Sequence, residues 1–145
     1  MSTPYSEIYE LFQTGLKDPT LDRLFQKSIE DYENYLKPFL IIAISEFDFC
    51  KQDLEDRDDD ECNFNITLGT KEKVILSKLM KIAWLEKEIH DINQMKLHLQ
   101  DGDFKTYSEA QNLKAKQDLL IIETELIDKS IGRYDFKNYM DSLNG

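Results

Sequence analysis

Apolar residues recur at helical spacing along most of this chain. Ile8, Leu11 and Phe12 share one face, with Tyr5 a turn earlier. Thr3 is placed to cap that helix, Pro4 suits its first position and Gly15 closes it, so the pattern predicts a helix over 4–13. A second cap-then-proline pair, Asp18-Pro19, opens a short helix carrying Leu21, Leu24 and Phe25. From Ser28 to Phe49 the helical period continues through Ile29, Tyr32, Leu36, Phe39, Leu40, Ala43, Ile44 and Phe47. Pro38 falls inside it and predicts a kink or a break, because proline removes a helical hydrogen bond and crowds the preceding turn. The stretch Phe39–Ile44 is apolar all round, which marks it for the centre of the core or for a subunit contact.

After an irregular middle, the period returns. Phe64 to Leu68 alternates apolar and polar, as one short extended segment would. Thr70 then caps the clearest helix, with Val74, Ile75, Leu76, Leu79, Met80, Ile82, Ala83, Trp84 and Leu85 as a broad apolar band. Trp84 reads as core. Lys71, Lys73, Lys78 and Lys81 read as a solvated face. The helix continues or re-forms through Ile89, Ile92, Met95, Leu97 and Leu99 and ends near Gly102, a C-capping residue. Residues 107–131 predict another long helix, with Leu113, Leu119, Leu120, Ile122, Leu126, Ile127 and Ile131 as its stripe and Gly132 as its end. The remainder, 133–145, keeps Tyr134, Phe136, Tyr139, Met140 and Leu143, too many large apolar groups for a solvent tail. The reading is an all-α bundle of about four main helices, with room for one short extended segment. Its organisation is a helical domain over 1–132 and a docking tail over 133–145.

Composition narrows the class more than the function. The chain has 145 residues, 41% hydrophobic and 32% charged, enough for one core without disulfide staples. The five glycines and three prolines are few, which favours long elements. No apolar run approaches a membrane span and no signal-like segment opens the chain, so a cytoplasmic product is expected. Cys50 and Cys62 lack metal or redox spacing and read as reduced thiols.

Net charge is −11, and it is uneven: residues 1–70 hold 16 acids against 6 bases, residues 71–145 hold 13 against 12. No cationic cluster dominates, as a grip on nucleic acid would require. Asp53, Glu55, Asp56, Asp58, Asp59, Asp60 and Glu61 crowd one stretch, interrupted by Leu54 and Arg57, and predict an exposed loop. Asp56, Asp58 and Asp60 match the first three ligand positions of a calcium loop. Glu61 stands where that loop needs glycine and Thr67 where it needs glutamate, so no metal is expected. His90 and His98 are eight apart, the wrong spacing for a helical zinc pair. No nucleophile elbow, phosphate loop or dinucleotide fingerprint is present, and neither an enzyme nor a cofactor is implied.

Certain strings form a series: Tyr5-Ser-Glu-Ile-Tyr-Glu-Leu-Phe12, then Phe49-Cys-Lys-Gln-Asp-Leu54 with the acidic loop and Phe64 to Leu68. Glu72, Ile75-Leu76, Leu79-Met80 and Trp84-Leu85 follow, and Asp103-Phe-Lys-Thr-Tyr-Ser108 runs into Leu113. Over most of residues 5–125 the series resembles head–tail connector (adaptor or neck) proteins of tailed bacteriophages. The Pro38 position and the segment after Gly132 depart from that pattern. The resemblance implies a non-enzymatic virion protein, made in the host cytoplasm, at the head–tail junction. It implies a closed ring of copies, a dodecamer, that joins the portal protein to a tail-completion or next neck protein and lets DNA pass without specific binding. The acids at 53–61 would then line a channel that repels phosphate or, equally, serve only to keep the subunit soluble before assembly. Phe39, Ile41, Ile42, Tyr134, Phe136, Tyr139, Met140 and Leu143 are the expected subunit or portal contacts. The alternative is a small acidic helical module that regulates a host or phage protein.

Overall fold

In a computed structural model, which describes residues 2–98 and 107–144, the chain is a helical bundle with a small three-stranded sheet at one end. Five helices occur among the described residues: α1 (Tyr5–Thr14), α2 (Pro19–Lys27), α3 (Ile29–Glu46), α4 (Thr70–His98) and α5 (Tyr107–Asn144). The expected helix end near Gly102, and most of the 103–108 string, lie outside those residues.

The starts of α2 and α3 follow local chemistry. The Asp18 carboxylate accepts the Thr20 and Leu21 amides at 3.0 and 3.1 Å, and Pro19 sits at the first position. The Ser28 hydroxyl accepts the Asp31 amide at 3.2 Å. At α1 the expectation fails. Thr3 lies one residue too early, in strand β1 (Thr3–Pro4), and Pro4 occupies the cap position. The buried Thr3 hydroxyl instead donates to the Ile66 carbonyl and accepts the Leu68 amide, both at 2.9 Å. That pair pins the segment before α4 to the start of the chain. At α4, the Gly69 carbonyl accepts the Lys73 amide, so Gly69 and not Thr70 is the cap.

The sheet has the order β1-β3-β2, all antiparallel, with β2 at Arg57–Asp58 and β3 at Asn63–Phe64. Sequence periodicity finds only the neighbourhood of β3, since two-residue strands carry no alternation. Arg57 pairs with Phe64 and Asp58 with Asn63, so the acidic stretch forms a hairpin rather than a free loop. Cys62 closes its turn at φ 57°, in the left-handed region, where a non-glycine residue is uncommon.

Helix α4 is central and packs against α1, α3 and α5. Leu76, Met80, Trp84 and Leu85 are fully buried in it, which explains why its apolar band is broad. Phe12 meets Trp84 edge to face at 6.4 Å, and Tyr5 packs on Phe64 at 5.0 Å. Helix α3 runs unbroken through Pro38, and its apolar stretch supplies core: Phe39, Leu40, Ala43 and Ile44 are buried.

Helix α5 does not stop at Gly132. It continues to Asn144, so the expected boundary between a domain and a tail at 132/133 is not a structural one. Gly132 has ordinary negative φ and no atom within 4 Å of where a Cβ would sit, so nothing there terminates a helix. The two long helices run antiparallel in a definite register. Lys81 bonds Glu123 at 3.0 Å, Lys116 bonds Glu88 at 3.4 Å, and Tyr134 bonds Glu72 at 3.1 Å. In that register Thr70 lies beside residue 136, Lys137 lies beside Lys71, and the last residues of α5, 141–144, are exposed.

Candidate functional site

The inward face of α5 is built from Leu119 and Leu120 and then, at steps of three and four, Glu123, Ile127, Ile131 and Tyr134. Lys81 holds its middle. The ammonium bonds Glu123 and also the Gly15 carbonyl at 2.7 Å, tying α4, α5 and the end of α1 together. A cation at that carbonyl suits the negative end of α1. So Lys81 does not belong to the solvated face expected for the lysines of α4. Lys116 lies 5.2 Å above the Trp84 ring and 3.4 Å from Glu88.

Tyr134, expected to meet a partner, is consumed inside the molecule. Its ring packs edge to face on Phe47 at 5.4 Å. Its hydroxyl accepts the Lys51 amide at 2.8 Å and donates to the Glu72 carboxylate at 3.1 Å. Burial pushes its phenol pKa up to about 12. Phe39 is likewise core, only 4% exposed, and Ile41 is half-buried against it, so neither is a free contact surface. Ile42, on α3, is 46% exposed.

The remaining expected contacts form something coherent. Phe136, Tyr139, Met140 and Leu143 are 65%, 61%, 39% and 63% exposed. Ile122 and Leu126, expected on the inward stripe, are exposed too. Ile122, Leu126, Lys129, Arg133, Phe136, Met140 and Leu143 advance by alternate steps of four and three. This is a second stripe beside the buried one: Leu126 and Arg133 border cavities against α4, and Phe136, Met140 and Leu143 are exposed. Sequence reasoning merged the two stripes into one. The spread of apolar positions over 113–131, wider than one helix face, was the signal that could have separated them.

The cations of this face gather towards its C-terminal half. Lys137 sits beside Lys71 at the start of α4, and that neighbour lowers the Lys71 pKa. Lys71 and Arg133 also border a cavity of about 290 Å³ over Val74, Ile75 and Tyr134. These cations stand beside the carboxylates of Glu72 and Asp141, which also act on Lys71.

The acidic hairpin lies at the sheet end. Asp53, Glu55, Asp56, Asp58, Asp60 and Glu61 are exposed; Asp59 is half-buried and structural. The Tyr5 hydroxyl and the Arg57 guanidinium donate to the Asp59 carboxylate, and Lys37 donates to its backbone carbonyl. The Tyr5 hydrogen bond leads in holding the Asp59 carboxyl below its usual range. The Asp58 side chain is turned inward on the loop, accepting the Asp60 and Glu61 amides at 3.0 and 3.1 Å. Among the described residues, no three His, Cys, Asp or Glu side chains converge to hold a metal ion. Nor is any described helix long and apolar enough to cross a membrane.

No protein-family model, curated protein or solved structure matches this chain.

Proposed function

We propose that this chain is a structural assembly protein that acts by docking, and that the connector of a tailed bacteriophage is the form the sequence resemblance favours. In that reading it is non-enzymatic, stands at the head–tail junction of the virion, and links the portal to a tail-completion or next neck protein. Copies form a closed ring through which DNA passes.

One observation carries the docking reading: the second apolar stripe of α5, Ile122 to Leu143, has no partner within the described residues. A chain with a full core gains nothing by displaying five large apolar groups along one helix face, and such patches mark interaction sites. The exposed end of α5 supports it, because Leu143 there can reach a neighbour. The exposed acids of the 53–61 hairpin support a channel lining, since carboxylates repel a passing duplex and let it slide.

The test is electron microscopy of the purified protein mixed with portal rings. The expected result is added density beneath the portal. Phe136→Glu and Leu143→Glu, both on the exposed face, should abolish it while leaving the fold intact. A protein that never joins the portal counts against the connector reading. A stoichiometric host protein bound through the same stripe would favour a regulatory module instead.

A further inference from the structure

We propose that the basic, apolar face of α5 seats in an acidic furrow on the N-terminal half of a second copy of this chain. The inference rests on the docking reading above and names the partner.

The furrow lies between α1 and α3, with α2 at one side. Two cavities of about 470 and 250 Å³ share Ser6, Tyr9, Ile29 and Glu33, so they form one continuous depression. Tyr9, Phe25, Tyr32 and Ile29 give it an apolar floor, and Ile29 is 58% exposed there. Glu10, Glu30, Glu33 and Glu61 line its walls. Lys37 also borders it, but its ammonium is already engaged by the Asp59 carbonyl. The Tyr9 hydroxyl is buried and has no hydrogen-bond partner among the described residues. Tyr9 lines both cavities.

The α5 face complements this furrow in both respects. It offers Leu126, Phe136, Met140 and Leu143 as apolar anchors. Lys129 and Arg133 stand among them and Lys137 on their edge, while the acids Asp118 and Glu125 belong to the earlier part of the face. Pairing two such faces with each other in the register that overlaps them fully is disfavoured. An antiparallel pair centred near Gly132 would bring Lys129 and Arg133 of both copies into one apolar seam, four cations without a counter-charge. Seating the face in the furrow sets those cations against glutamates instead. The two surfaces are different and sit on different elements, so the contact is head-to-tail. Every copy offers both halves, so the assembly extends beyond a dimer, to a ring where the rotation between copies closes.

Sedimentation velocity of the full-length chain over a concentration series tests this. The wild type should self-associate, less at high salt. Arg133→Glu disables the face and Glu33→Arg disables the furrow; each alone should weaken association about tenfold or more. An equimolar mixture of the two variants keeps one good face and one good furrow, and its other contact sets the two reversed charges against each other, so the mixture should associate more strongly than either variant alone. Circular dichroism melts check that both variants remain folded, and Phe136→Glu should act like Arg133→Glu. The inference is overturned if the wild type stays monomeric at its highest soluble concentration. It is also overturned if Glu33→Arg associates normally, or if the mixture associates no more strongly than either variant alone. A monomeric wild type that still joins a portal through Phe136 would sink this contact and leave the docking reading standing.

Discussion

Replacing Gly132 by alanine separates a helix that ends at this residue from one that passes through it. Gly132 is exposed, lies within α5, has negative φ, and has nothing within 4 Å of an added Cβ. Alanine therefore meets no clash. In an exposed helix interior it is favoured over glycine by about 0.8–1.0 kcal/mol, because glycine loses more backbone freedom on folding. Had Gly132 been a left-handed terminator, alanine would cost about 1–2 kcal/mol. The two readings thus differ in sign and by roughly 2 kcal/mol. Urea unfolding followed by circular dichroism resolves this easily. With a slope of about 2 kcal/mol per M, Gly132→Ala should raise the midpoint by roughly 0.4–0.5 M. The melting temperature should rise by about 2–4 °C. A lower midpoint with an unchanged slope would refute the continuous helix, and with it the placement of Tyr134 and the face beyond it. Gly132→Pro is the opposite control: it should cost about 3 kcal/mol or more, by breaking α5 between Ile127 and Tyr134.

Tyr134→Phe keeps the ring on Phe47 but removes hydrogen bonds to the Lys51 amide and the Glu72 carboxylate, so it should cost about 2–3 kcal/mol in urea unfolding. In combination with Glu72→Gln the losses should be less than additive; full additivity would mean the two groups do not interact. Asp18→Ala should lower stability by about 1 kcal/mol through loss of the α2 cap, whereas Asp18→Asn should keep most of it. Alkaline pH should unfold the protein. Burial leads in raising the Tyr32 and Tyr134 phenols to about 12, and it raises Tyr5, Tyr9 and Tyr35 as well. Above pH 10 the unfolded chain holds fewer phenolic protons than the folded one, so stability falls as pH rises from about 10 towards 12. Absorbance at 295 nm should show these five tyrosines ionising together with loss of helicity; simple titration near pH 10 with the fold intact would contradict their burial.

Helices were legible in this chain wherever the signal was local. Asp18-Pro19 and Ser28 mark their helix starts by bonds to amides two or three residues on, and the wide band around Trp84 announces a helix covered on several sides. A cap needs only its neighbours, so a linear sequence can state it. The sheet was not legible, because β1, β2 and β3 are two residues each and β1 joins β3 across about sixty residues, as Thr3 does with Phe64. The acidic hairpin was legible as a charge run, but the role of Asp59 was not, since its partner Tyr5 comes from the other end of the chain.

The same limit governs the candidate site. Periodicity shows that a helix face is apolar; it does not show what covers it. Phe39 and Tyr134 are as greasy in sequence as Phe136 and Leu143, yet the first two are core and the last two face outward. That distinction depends on the register of α5 against α4, which is set by contacts between residues as distant as Lys81 and Glu123. Sequence alone therefore determined that this is an acidic, helix-rich chain with more apolar surface than one stripe needs. Only tertiary packing decided which stripe α4 and its neighbours bury and which is left for something else, because burial is a property of neighbours in space and not of position along the chain.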